Sequence, residues 1–112
     1  MAYKVKLTAP AEFDAYAAFE RIREAAPLAA QHWLKRLFAA ILSLSEMPQR
    51  CSLAHEAEEI GREVRQLLFD KKSGTFRILF DIQEDSAEGP VVRVLRIWRG
   101  SRDDVQPEDF EE

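Results

Sequence analysis

The stretch GTFRILFDI, residues 74–82, decides the fold. Side chains of a β-strand alternate between its two faces. Phe76, Ile78, Phe80 and Ile82 therefore share one side, and Thr75, Arg77, Leu79 and Asp81 share the other. One face is purely apolar, while the opposite face carries an arginine amid residues that otherwise belong in a core. That pattern predicts a sheet covered on one side and open on the other, with Arg77 pointing to the open side.

Two more strands follow from neighbouring runs. EVRQLLF (63–69) and VVRVLRIW (91–98) flank the central run, joined to it by DKKSG (70–74) and QEDSAEG (83–89). Short polar connections of this kind favour antiparallel neighbours. Toward the start, YKVKLT (3–8) alternates Tyr3, Val5 and Leu7 with two lysines and predicts a half-buried strand. Thr8 is placed to cap a helix that opens with Ala9, Pro10, Ala11 and Glu12 and runs to about Ala26. Its inner stripe is Ala15, Ala18, Phe19, Ile22 and Ala26.

Pro27 ends that helix and suits the first turn of the next. The second helix is expected from about Leu28 to Glu46. Ala30, Leu34, Leu37, Ile41 and Leu44 recur on one face, widened by Trp33 and Phe38. Two helices joined this tightly form an antiparallel hairpin. Residues 47–61 lack a clean period and read as a surface connection with a turn of helix near Glu58. The plan is α+β, in the order β-α-α-β-β-β, with the helical hairpin packed on one face of a small, mainly antiparallel sheet.

A chain of 112 residues corresponds to one domain with one modest core. No apolar run approaches the roughly 18 residues of a membrane span, and Lys4 and Lys6 interrupt the start, so neither a span nor a secretory signal is expected. One cysteine, Cys51, fits a reducing cytoplasm. The formal net charge of −4 is unevenly spread. Six of the acids lie in the last ten residues, DDVQPEDFEE, with no base among them; residues 1–102 then carry a small positive excess. This divides the chain into a domain over residues 1–102 and an acidic tail over 103–112. The tail either remains solvated or folds back over the arginines.

Arg65, Arg77, Arg93, Arg96, Arg99 and Arg102 form the strongest functional pattern. Guanidinium groups grip phosphate or carboxylate bidentately, so an open arginine-bearing sheet suits nucleic acid or an acidic protein segment. The plainer alternative is a solvated strand face whose arginines pair with Asp81 or Glu63. Strand periodicity puts Arg93 and Arg99 on one face and Arg96 on the other. Cys51 and His55 fall short of a zinc ligand set, and Ser101 has no neighbouring base to activate it. His32 reads as helix surface or helix packing, and Trp98 as core or rim before base-stacking platform. Four glycines include no phosphate-binding loop, so neither a cofactor nor a metal is expected.

The element order, the helix phrase PLAAQHWLKRLFAAILSLSEMP (27–48), QRCSLAHE (49–56), EVRQLLFDKKSGTFRILFDI (63–82) and VLRIWRGSRD (94–103) resemble the RelE/ParE superfamily of type II toxins. These are often described as plasmid stabilisation proteins. The resemblance spans Tyr3 to about Asp103. It implies a cytoplasmic toxin that arrests growth when free of its antitoxin, assembled as a homodimer or as a hetero-oligomer with that antitoxin. RelE-like members cut mRNA in the ribosome, and ParE-like members poison DNA gyrase. By resemblance, Arg77 matches the strand arginine of the RNA-cutting branch, Arg65 its basic residue on the preceding strand, and Arg99 or Arg102 its terminal arginine.

The chain departs from that branch at several positions. Leu67 stands where a second strand lysine is expected, Arg99-Gly100 replaces a His-Gly, and neither tyrosine nor histidine follows Arg102. With a pKa above about 12, arginine steadies charge but shuttles protons poorly. The resemblance therefore leans to gyrase inhibition. A ribosome-dependent endoribonuclease, or a non-toxic arginine-faced RNA-binding or adaptor domain, are the alternatives.

Overall fold

A computed structural model describes residues 2–70, 76–100 and 107–110. Strand β1 (Lys4–Leu7) leads through Thr8 into α1 (Ala9–Ala25). The Thr8 hydroxyl accepts from the Ala11 amide and donates to the Leu95 carbonyl, so the cap also fastens the helix start to the last strand. Ala26 alone separates α1 from α2 (Pro27–Leu42), as the proline implied. The second helix stops four residues short of the expected end and tightens into a 3-10 turn over Ser43–Ser45. Arg50 closes that end: its guanidinium donates to the Glu46 and Met47 carbonyls at 2.6 and 3.2 Å and to the Ser43 hydroxyl at 3.2 Å. These bonds fasten the chain just past the 3-10 turn, where it leaves the helical pair.

The remaining elements are α3 (Glu56–Ile60), β2 (Arg65–Phe69), β3 (Phe76–Gln83) and β4 (Val91–Arg99). They build a four-stranded mixed sheet in the order β1-β4-β3-β2, in which β1 runs parallel to β4 and the other pairs are antiparallel. The expected DKKSG hairpin and Thr75 lie outside the described residues, apart from Asp70.

On one sheet face, Trp33, Leu37, Ile41 and Leu44 and the alanines Ala11, Ala15 and Ala18 meet Phe69, Phe76, Ile78, Phe80, Val92, Val94 and Ile97. The small α1 side chains let that helix approach closely, and Trp33 fills the space against Phe76 and Phe69, with ring centroids 5.3 and 6.0 Å apart.

The opposite face is not open. Leu79, Leu95 and Trp98 pack there against Ala54, Ala57 and Val64, and against Phe110 from a 3-10 turn at Pro107–Phe110. Residues expected to run over the surface thus form a third layer. Ala54 and Gln66 amides bond the Val64 and Ser52 carbonyls, tying the connection to the β2 edge. Gly61, at φ 69°, ends α3 in the left-handed conformation glycine tolerates and turns the chain toward β2.

Candidate functional site

Five of the six arginines lie among the described residues, and these five do not converge. Arg77 lies on the face opposite α1 and α2, as its period predicts, but it is only 5% exposed. Its two terminal nitrogens donate to the Glu56 carboxylate at 2.9 and 2.5 Å. The guanidinium also donates to Gln66 Oε1 at 3.1 Å and the Gly100 carbonyl at 2.9 Å. Glu56 is fully buried. Burial by itself would raise its pKa; the Arg77 hydrogen bonds, a backbone hydrogen bond and the charges of Arg77 and His55 outweigh that and hold the carboxyl below its usual range. The expectation of an accessible Arg77 is therefore overturned. Period two correctly sets the face but says nothing about which chain segment covers it.

Arg65 is on the helix-facing side, opposite Phe80 across the β2–β3 pair. It sits at the sheet edge and donates to the Cys51 carbonyl at 2.6 Å and to Glu63 at 3.3 Å. Burial pushes the Cys51 thiol up, against the charges of Arg50 and Arg65, so it is no activated nucleophile.

The expected grouping of Arg93 with Arg99 is reversed by a bulge. Leu79 faces Arg96 across the β3–β4 pair, but Phe80 faces Val94, leaving Leu95 as an extra residue. One added residue inverts the alternation beyond it. Arg93 and Arg96 consequently share the face away from α1 and α2, and Arg99, opposite Phe76, falls on the helix side. Arg93 grips Asp81 with bonds of 3.0 and 2.6 Å, and Arg62 reaches the same carboxylate at 3.2 Å. Arg96 grips Asp14 of α1 at 2.7 Å through two nitrogens, and Asp14 also accepts the Ile97 amide at the bulge.

Arg99 is exposed and lines a cleft of about 320 Å³ with Arg21, Ile22, Ala25, Ala26 and Phe76. Arg102 lies outside the described residues. Trp98 is core, its ring tilted against Phe110 with centroids 5.3 Å apart, and His32 is exposed on α2.

A second feature escaped the strand-centred reasoning. A groove of about 390 Å³ runs between α1, α2 and β1, lined by Leu7, Ala15, Tyr16, Phe19, Leu34 and Phe38, with Glu12 at its rim. Phe13, Tyr16, Phe38 and Leu42 are large apolar side chains left exposed on the helical pair. Contiguous exposed apolar surface is a mark of interaction sites. The signal was present in the sequence: Phe13 and Tyr16, three residues apart, lie off the inner stripe of α1, and Phe38 lies at the edge of the α2 stripe.

Among the described residues, Arg77, Arg93 and Arg96 are each gripped by a carboxylate, and an apolar groove lies between the helices. The family model for the ParE toxin of type II toxin–antitoxin systems, parDE, matches residues 5–104, and the chain belongs to that family. No curated protein matches it. Among solved structures, one titled "Chromosomal ParDE TA system from P. aeruginosa" is similar, with a TM-score of 0.68 at 20% identity, covering 89% of this chain and 98% of that one. The α+β fold is thus shared with a ParDE structure at low sequence identity. Among the described residues, no helix is long and apolar enough to cross a membrane.

Proposed function

We propose that this toxin-family chain arrests growth in the cytoplasm by inhibiting DNA gyrase, and that it does not cut mRNA on the ribosome. The observation that carries the reading is the Glu56–Arg77 pair. A ribonuclease of the resembled branch needs the strand arginine to hold the scissile phosphate and steady its developing charge. Here a buried carboxylate already occupies that guanidinium, so an incoming phosphate would have to displace Glu56 and strand a negative charge in the interior. Arg99 is exposed and supports an outward contact, but no histidine or tyrosine adjoins it in sequence to move protons.

The antitoxin is proposed to seat an amphipathic helix in the groove between α1 and α2. Its apolar face would cover Phe13, Tyr16 and Phe38, in the manner of helix-in-groove recognition.

Induced expression in a bacterium tests the reading. Growth arrest with SOS induction and intact ribosome-bound mRNA is the expected result. Cleavage of mRNA at codon positions would overturn the gyrase assignment, and healthy growth at high expression would replace the inhibitor with a non-toxic adaptor.

A further inference from the structure

The Pro107–Phe110 turn is too short to persist by itself, since an isolated helical turn fixes several dihedrals for very few hydrogen bonds. Its conformation is set by what it rests on. Phe110 is 1% exposed and joins the apolar cluster of Val64, Leu79, Leu95 and Trp98. Two arginines, Arg62 from the connection before β2 and Arg96 from β4, hold the backbone around that ring: Arg62 donates to the Phe110 carbonyl and Arg96 to the Asp109 carbonyl, each at 3.3 Å. Asp109 adds a charge contribution at Arg96, whose pKa is raised chiefly by its hydrogen bond to Asp14. The slot therefore reads three things at once: a phenyl ring, the backbone carbonyl of that residue and of the one before it, and neighbouring negative charge.

We infer that this Trp98 slot is a docking site for acidic protein segments bearing a phenylalanine anchor, filled within the chain by Pro107–Phe110 and open to a partner segment of the same chemistry when that turn is displaced. The occupant is argued from the segment seated there, and from its sequence, PEDFEE, in which four carboxylates surround one aromatic. No other part of the proposed function is required for this inference. A tethered segment acts at an effective concentration on the order of millimolar, so a free competitor meets a slot already occupied. Removing the native anchor should then create a binding site, where removing an ordinary contact would only weaken the fold.

The test uses the full chain with Phe110→Ala and a fluorescent peptide carrying residues 105–112, VQPEDFEE. Fluorescence anisotropy should show saturable binding to the variant at least tenfold tighter than to the wild-type chain. The peptide with alanine in place of its phenylalanine should lose that binding. Circular dichroism establishes that the variant is folded; should it not be, Phe110→Leu, which keeps a smaller apolar plug, is expected to bind with intermediate affinity. Equal affinity for wild type and the folded variant would overturn the proposal, as would equal binding by the phenylalanine-free peptide. A wild-type chain that sediments as a dimer and becomes monomeric on Phe110→Ala would assign the slot to a second copy and overturn it as well.

Discussion

Glu56→Ala should be among the most damaging single substitutions in this chain, although Glu56 is one carboxylate on a helix of five residues. The change leaves the Arg77 guanidinium in place, 5% exposed, with its bonds to Gln66 and the Gly100 carbonyl but without the carboxylate that neutralises it. Breaking a buried pair from one side costs about 3–5 kcal/mol, because the surviving charge cannot return to water. The two retained hydrogen bonds argue for the lower end, about 3 kcal/mol. With an unfolding entropy near 2.1 cal/mol/K per residue over 112 residues, the melting midpoint should fall by about 13 °C.

Urea titration followed by circular dichroism measures the loss directly, as a lower midpoint at unchanged slope. The double variant Glu56→Met with Arg77→Met removes both charges and keeps apolar volume; it should be less destabilised than the two single variants summed, by about 2 kcal/mol. A Glu56→Ala loss below about 1 kcal/mol, or additive costs in the double variant, would mean that Glu56 and Arg77 are not coupled as a buried charge pair. The same arithmetic warns against taking Arg77→Ala at face value: loss of arrest in that variant would report unfolding before it reported a target contact.

Acid should reproduce part of this effect. Glu56 has a folded-state pKa below its ordinary 4.5, so its contribution is fully present above about pH 4.5 and is lost as pH falls through the lower folded value; the stability gap between wild type and Glu56→Gln should narrow across that acid window. Asp14→Ala removes the bidentate partner of Arg96 and the acceptor of the Ile97 amide, and should cost about 2–3 kcal/mol in a thermal melt, with Asp14→Asn recovering part. Phe38→Asp should change stability by no more than roughly 0.5 kcal/mol, because the ring is exposed. Under the proposed docking it should abolish co-purification with the antitoxin while arrest persists, and retained co-purification would move the partner off the groove.

Most of the frame was legible from local chemistry. Pro27, Thr8 and the stripe from Ala30 to Leu44 place the helices because caps, breakers and periodicity act within a few residues. The end of α2 was less legible, since Ser43 closes it by bonding the Ala39, Ala40 and Ile41 carbonyls, and Arg50, which arrives from beyond the helix, ties down the Ser43 hydroxyl and the Glu46 carbonyl. Arg77 shows the sharper limit. Alternation within β3 gave its side of the sheet, but its cover comes from α3, whose position depends on Gly61 and on pairing at the β2 edge. Glu56 stood in QRCSLAHE with no local mark of burial. The candidate site was less legible than the fold because each arginine there is defined by a partner distant in sequence: Asp14 for Arg96, Glu56 for Arg77, and the Phe110 carbonyl for Arg62.

The extra residue in β4 has a consequence for how relatives are compared. Where a cousin lacks the insertion at Leu95, ungapped matching of the final strand would equate Arg96 or Arg99 with side chains on the reverse surface, and shared arginine spacing would be mistaken for shared geometry. A gap opened at position 95 restores the correspondence. Equivalent positions in this family are thus better assigned from cross-strand partners than from their distance to the C-terminus.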